Sequence, residues 1–514
     1  MTKQLTEMST VTRVAKNTIF LYVKMGITIF VSLYTVRLLL ASLGAADYGI
    51  YTVVGGAIAM LGFLNSTMAN ATQRFISYAE GEGLVEQKKK IFNVSIVLHL
   101  VVAVITFLLL LIAIFPLFNG ILNIQPERIF AAKIVYISVV ISTLLTIINV
   151  PYDAVMNAHE NMLYYSVIGI FESLLKLIIA FCCVYTTYDK LIIYGILMAL
   201  VPLVTLTIMK LYCHKHYEEC VLSPREYWDF NLVKQIAFFS GWNFLTAISS
   251  LFTFQGLGVV LNHFYGTVLN AAHGIAQQVN GQLSAFSVNM MKALNPVIVK
   301  NAGAGDYNKM NSVTIAGCKF ATYIMLLFAI PFILEMPYVL SVWLKKVPEW
   351  AVLFCILQII QGIICQMANS ASTAVYAQGN IKGYAIYKSI MNILPILITY
   401  LCFVFGGAPY WLYVPMILIW GIGGDIVIVK YANKLCGLSV SNFLRGVIVP
   451  VIGVALVMLF MGYMIRFLLD EGLLRLVLCC LLTSIGMVVS FFLFGVTDKE
   501  RCEINQMKNK IIHR

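Results

Sequence analysis

The chain reads as an all-α polytopic membrane protein of about fourteen transmembrane helices, and three observations predict it. Of 514 residues, 60% are hydrophobic and only 11% charged, where a soluble domain carries about 25% charged residues. Mean hydropathy is +0.88. Apolar runs long enough to cross a bilayer, which takes about 20 residues, recur from end to end.

In order, the spans fall near 17–43, 49–70, 92–116, 129–150, 164–185, 191–212, 237–262, 268–291, 314–336, 350–370, 384–405, 410–430, 443–465 and 473–495. The first, Asn17 to Leu43, closes in the turn Gly44-Ala45-Ala46-Asp47 and feeds the second. The segment 268–291 is the least regular, being rich in Gln and Asn. Met1 to Lys16 is polar and the first apolar run is too long for a signal-peptide core, so no cleavable signal is expected.

An even number of spans puts both termini on one side. Lys and Arg number 25 in or beside the connections on that side and 7 on the other, with Lys24, Arg37 and Lys176 inside spans. The positive-inside rule assigns both termini to the cytoplasm. The formal charge of +12 is then a topology signal with attraction to anionic lipid, and makes no case for nucleic acid. The twelve cysteines are scattered without a CxxC pair and read as small buried hydrophobes, with no disulfide, metal or cofactor expected.

The organisation expected is a lobe over 1–212, a linker over 213–236, a second lobe over 237–430, two further helices over 431–495 and a basic tail over 496–514. The lobes show signs of repetition. A shift of 222 residues lays Gly44 on Gly266 and Gly81 on Gly303. Both units then pass into small-residue stretches, Tyr78-Ala79-Glu80-Gly81-Glu82-Gly83 and Asn301-Ala302-Gly303-Ala304-Gly305-Asp306. Six spans separate the repeats, so they share an orientation, a device of transporters.

Polar residues inside spans narrow the function. A lysine in mid-membrane costs roughly 2.5 to 3.5 kcal/mol on insertion scales. Helical geometry gathers Asn17, Lys24, Thr28 and Thr35 into a ~60° arc, which should face a wet cavity or a partner helix; the plainer alternative is a snorkelling Lys24. Arg37 leaves the same helix from another side near the far interface. Similar stripes run through Asn243, Thr246, Ser250 and Thr253, through His273, Gln277, Asn280, Ser284 and Ser287, and through Gln358, Gln361, Cys365 and Asn369. They suit a hydrated chamber, or hydrogen bonds between helices.

In the fifth span Glu172 precedes Lys176 by one turn, either a structural ion pair or a cation tuned by a protonatable acid. Asp425 is a second in-span acid, placed where it could simply reach the interface. Gly421-x-Gly423-Gly424 is no dinucleotide fingerprint, because it sits within a span and follows no strand. The outward loops are short, the longest roughly Met336 to Trp350, which leaves no room for the external catalytic loop of a lipid-linked sugar transferase or polymerase. An enzyme is not expected.

The run Val36-Arg37-Leu38-Leu39, then Leu43-Gly44-x-x-Asp47-Tyr48-Gly49 and Ala71-Thr72-Gln73-Arg74-Phe75, resembles the opening of polysaccharide-unit (Wzx-type, O-antigen) flippases. These belong to the multidrug/oligosaccharidyl-lipid/polysaccharide exporter superfamily. Asn270 to Gln282 with Asn295-Pro296 looks like the second-half counterpart. The resemblance implies two pseudo-symmetric six-helix lobes in a V plus two C-terminal helices, in the bacterial inner membrane. It implies an undecaprenyl-diphosphate-linked oligosaccharide as substrate, moved from the cytoplasmic to the periplasmic leaflet by alternating access, with membrane lipids and polysaccharide polymerase machinery as partners. Burying a diphosphate demands cations or strong donors. Lys24, Arg37, Lys176, His273, Gln277 and Asn280 are the candidate substrate contacts, with Glu172 and Asp425 for ion coupling. The alternative is a cation-coupled multidrug exporter of the same superfamily, which would need cavity acids for cationic drugs.

Overall fold

A computed structural model describes residues 10–496, apart from 60–61, 122–123 and 345; the basic tail lies outside them. The described residues are helical with short connections and no strands. Among the described residues, twelve helices are long and apolar enough to cross a membrane. Large apolar side chains face outward along them, among them Phe30 (82% exposed), Ile112 (72%) and Phe467 (91%). Only a hydrocarbon surround makes that favourable, and the chain is a multi-pass membrane protein.

Two crossings are hidden in that tally, and glycines account for both. Helix α1 (Thr10–Ala59) breaks at Gly44, φ 77°, and its continuation with α2 (Gly62–Glu82) makes the second passage. Helix α7 (Phe230–Gly303) is 74 residues long and breaks at Gly266, φ 79°. At 1.5 Å per residue it is roughly 110 Å long, too long for one crossing of a ~30 Å core. With these breaks the count comes to the expected fourteen. The shift of 222 recurs in the backbone: Gly83 and Gly305, with φ 73° and 72°, end the two helices that follow the breaks. A β-carbon resists this left-handed conformation, so glycine is the residue that permits it.

The chain divides into two compact units, Lys16–Phe244 and Leu245 onward, the latter with the segment up to Ala15. The boundary falls inside α7, so the stretch expected as a linker, 213–236, goes with the first unit. In that unit α3 (Val85–Pro116), α4 (Ile129–Ala158), α5 (Met162–Tyr185) and α6 (Lys190–His216) pack with α1 and α2. Val54, Ile58, Leu110, Val135, Tyr136 and Leu191 form one core cluster. Gly195 lets α6 approach α4, since a β-carbon there would lie 3.1 Å from Val135 Cγ2. At one end of the unit Arg128 bridges Asp47 and Asp189, the latter at 2.6 Å; Asp189 also caps α6.

The second unit continues through α8 (Tyr307–Trp343), α9 (Ala351–Met367), α10 (Asn369–Ala377) and α11 (Lys382–Val404). The expected twelfth span is less regular than its apolar run implies: a 3-10 turn at Pro409–Leu412 leads to a π-helical stretch, Met416–Gly423. Helix α8 departs from helical geometry at Glu335, between Pro331 and Pro337. Pro337 has no N–H to donate and its ring crowds the turn before it. Glu335 is fully buried and takes Arg475 Nη2 at 2.8 Å and Nε at 3.1 Å, fastening the C-terminal helix Leu473–Ser490 to α8.

Candidate functional site: a lysine-bearing cavity

Within the first unit α1, α4, α5 and α6 enclose a cavity of about 150 Å³ lined by Lys24, Asn149, Asp153, Tyr165, Glu172 and Thr205, among others. It has room for several waters, since one needs about 10–15 Å³. The polar stripe of α1 turns toward α5 and the loop before it. Asn17, 6% exposed, donates to Glu160 O at 3.0 Å, and the Ser173 hydroxyl lies 3.3 Å from Thr28 Oγ1. Thr35 is satisfied within its own helix, by Val31 O at 2.7 Å.

Lys24 is half-buried, with Nζ 4.2 Å from the ring centroid of Tyr165. Gly169 makes its seat: a β-carbon there would overlap the lysine's Cε and stand 2.6 Å from Nζ. The ammonium is thus laid against α5 between an aromatic face and a helix notch, with acids on the cavity wall. Such a group attracts anions.

Asp153 joins the cavity although it falls outside the fourth span expected from the sequence, 129–150. That span places Asp153 beyond the membrane, whereas α4 runs on through Pro151 to Ala158. Thr146, Asn149 and Asp153 recur at helical spacing, and that period is the signal in the sequence that points to it. Asn149 Nδ2 lies 3.4 Å from Asp153 Oδ2.

The other candidates are dispersed. Lys176 Nζ pairs with Glu172 Oε1 at 2.6 Å, with both side chains about two-fifths exposed (40% and 39%). Glu172 reaches the cavity and Lys176 is not on its lining. Arg37 is exposed. In the second unit His273, 2% exposed, has Nδ1 at 2.8 Å from Tyr413 Oη and Nε2 at 2.9 Å from Gln277 Nε2. An amide nitrogen only donates, so Nε2 accepts, Nδ1 carries the proton, and the ring is neutral in this arrangement. Asn280 points at Gly362, with no room there for a β-carbon, and its buried Oδ1 has no hydrogen-bond partner.

Asp425 follows the π-helical stretch; its Oδ1 is also buried and unpartnered, and Lys388 is the charge acting on it. Two of the polar stripes are spent on hydrogen bonds. Thr253 donates to Asn392 O at 2.6 Å, and Asn392 Nδ2 reaches Ser249 and Ser250 at 3.1 and 2.8 Å. Gln358, Gln361 and Cys365 form a chain along α9.

The fold has solved counterparts. A structure described as MATE in the bent conformation superposes with a TM-score of 0.72 at 13% identity, covering 84% of this chain and 96% of that one. An outward-facing multidrug resistance MATE family transporter of the MOP superfamily gives 0.69 at 13%, over 83% and 96%. A MOP superfamily transporter from Pyrococcus furiosus, described as having a binding pocket of reversed polarity that suggests a different function, gives 0.66 at 14%, over 83% and 96%. No family model and no curated protein matches the sequence. At these identities the likeness establishes the fold.

Proposed function

We propose that the chain is a carrier for an anionic lipid-linked substrate, the undecaprenyl-diphosphate-linked oligosaccharide of cell-surface polysaccharide assembly. It would take the substrate from the cytoplasmic to the periplasmic leaflet of a bacterial inner membrane by alternating access. The observation that carries this reading is Lys24, an in-span cation seated on the wall of a polar cavity. A half-buried ammonium within a span is costly unless something anionic offsets its desolvation, and a diphosphate does so strongly. Thr146, Asn149 and Thr205 on the same wall suit sugar or phosphate oxygens. Arg37, Lys176, His273, Gln277 and Asn280 remain candidate contacts, and Glu172 and Asp425 candidate coupling groups.

One observation favours the second reading, a cation-coupled multidrug exporter. Asp153 and Glu172 both line the cavity beside Lys24, with Glu172 also paired to Lys176, and cavity carboxylates suit a cationic drug. The readings separate in a strain lacking the gene. The flippase reading expects lipid-linked units to accumulate on the cytoplasmic leaflet. It expects Lys24→Ala to lower rescue at least tenfold while inserting normally, and Asp153→Asn to spare it. Full rescue by Lys24→Ala, with cationic-dye efflux abolished by Asp153→Asn, would replace it with the exporter reading.

A further inference from the structure

The segment leading from α6 to α7 is held down on the first unit by a compact group of charges. Asn93, fully buried on α3, grips it with both ends of its amide: Nδ2 donates to Val221 O at 2.7 Å, and Oδ1 accepts from Ser223 N at 2.9 Å. Just ahead, Glu219 is 2% exposed and lies 2.5 Å from His159 Nε2 and 3.8 Å from Lys88 Nζ. Glu80 closes the group from α2, 2.6 Å from Lys88 and 3.5 Å from His159 Nδ1. The imidazole stacks on Tyr217 of the same segment, with centroids 4.3 Å apart and planes at 11°.

With both acids ionised and Lys88 charged, these four groups balance only when His159 is protonated. Two carboxylates and one lysine leave a net charge of −1; a protonated His159 brings it to zero and offers one N–H to each carboxylate. A neutral imidazole has a single N–H and leaves one carboxylate without it. The titratable groups facing His159 are Glu80 from α2, Glu219 and Tyr217 from the segment, with Lys88 from α3 behind the acids. Cys220 lies near Glu219 and Lys88. Burial pushes the Glu219 carboxyl up, but His159 and Lys88 outweigh it and hold the group below its ordinary range.

We propose that His159 is a proton-controlled latch: protonated, it fastens residues 217–223 to the first unit, and on losing the proton it slackens them. The sign follows from the charge count, with the latch tight at low pH and looser as pH rises. Histidine is the side chain whose charge ordinarily changes between pH 5 and 8. Basic-residue counts assign this end of the unit to the cytoplasm, so the signal is cytoplasmic pH. The proposal holds whichever substrate the carrier takes.

Hydrogen exchange on the full chain in lipid nanodiscs tests it, with each rate divided by the intrinsic rate at that pH. Protection of the amides in 217–223 should fall severalfold between pH 5.5 and 8.0 in the unaltered protein. His159→Gln should show flat protection at the high-pH level. Asn93→Ala should lower protection at every pH and keep the slope. Protection within α4 and α6 serves as the folding control. Flat protection in the unaltered protein, or a slope that survives His159→Gln, overturns the latch.

Discussion

Lys24 lies where it does because residue 169 has no side chain. Most described glycines of the first unit face open space, but a β-carbon at Gly169 would collide with the lysine's Cε. The obstacle is the far end of a flexible side chain, so α5 need not move. Alanine is also the better helix former by up to about 1 kcal/mol. Gly169→Ala should therefore insert and melt like the unaltered protein while displacing the ammonium, and complementation should drop severalfold. Thermal unfolding and rescue, measured side by side, check this. Rescue equal to the unaltered chain would show that the seat of Lys24 carries no function. Gly241, with nothing within 4 Å of its would-be β-carbon, is the matched control.

At the scale of elements, the helix breaks follow from backbone chemistry and the docking of helices from a few buried polar contacts. Gly44 and Gly266 turn the chain where any other residue would be strained. The pair Glu335–Arg475 ties the C-terminal helix to α8 with both side chains nearly dry, 0% and 9% exposed. Removing one partner of such a pair leaves an unbalanced buried charge and costs about 3–5 kcal/mol. Arg475→Met alone should lower the melting temperature in detergent markedly. Glu335→Leu combined with Arg475→Met should recover most of it, since an apolar pair of similar volume is often neutral. A double variant no more stable than the single one would mean that the pair directs folding rather than merely balancing charge.

For the molecule as a whole, the basic-residue asymmetry predicts one topology. Single cysteines placed at Gly83 and Gly305, on an otherwise cysteine-free chain, should both react from the cytoplasmic side only. A cysteine at Glu349 should react from outside. Labelling of Gly83 and Gly305 from opposite sides would break the parallel repeat, because their equal orientation depends on six intervening crossings. The left-handed backbone at both positions shows that their spacing of 222 is structural as well as textual.

The class, the fourteen crossings and the repeat are legible in the order of residues alone, because hydrophobic length and glycine's left-handed freedom act locally. Lys24 stands out in the same way, since a charge inside an apolar run is conspicuous without coordinates. What faces that charge came only with the folded chain. Asp153 joined the cavity because α4 runs past Pro151, and Lys176 left it because its side chain turns to Glu172 instead. His273 proved to be bonded to Tyr413, and Asn392 to Ser249 and Ser250, while His159 met Glu80 and Glu219, which Lys88 joins from a third helix. Apart from the Glu172–Lys176 pair, one helical turn apart, these contacts join residues far apart in the chain, and no spacing along the chain encodes their distances.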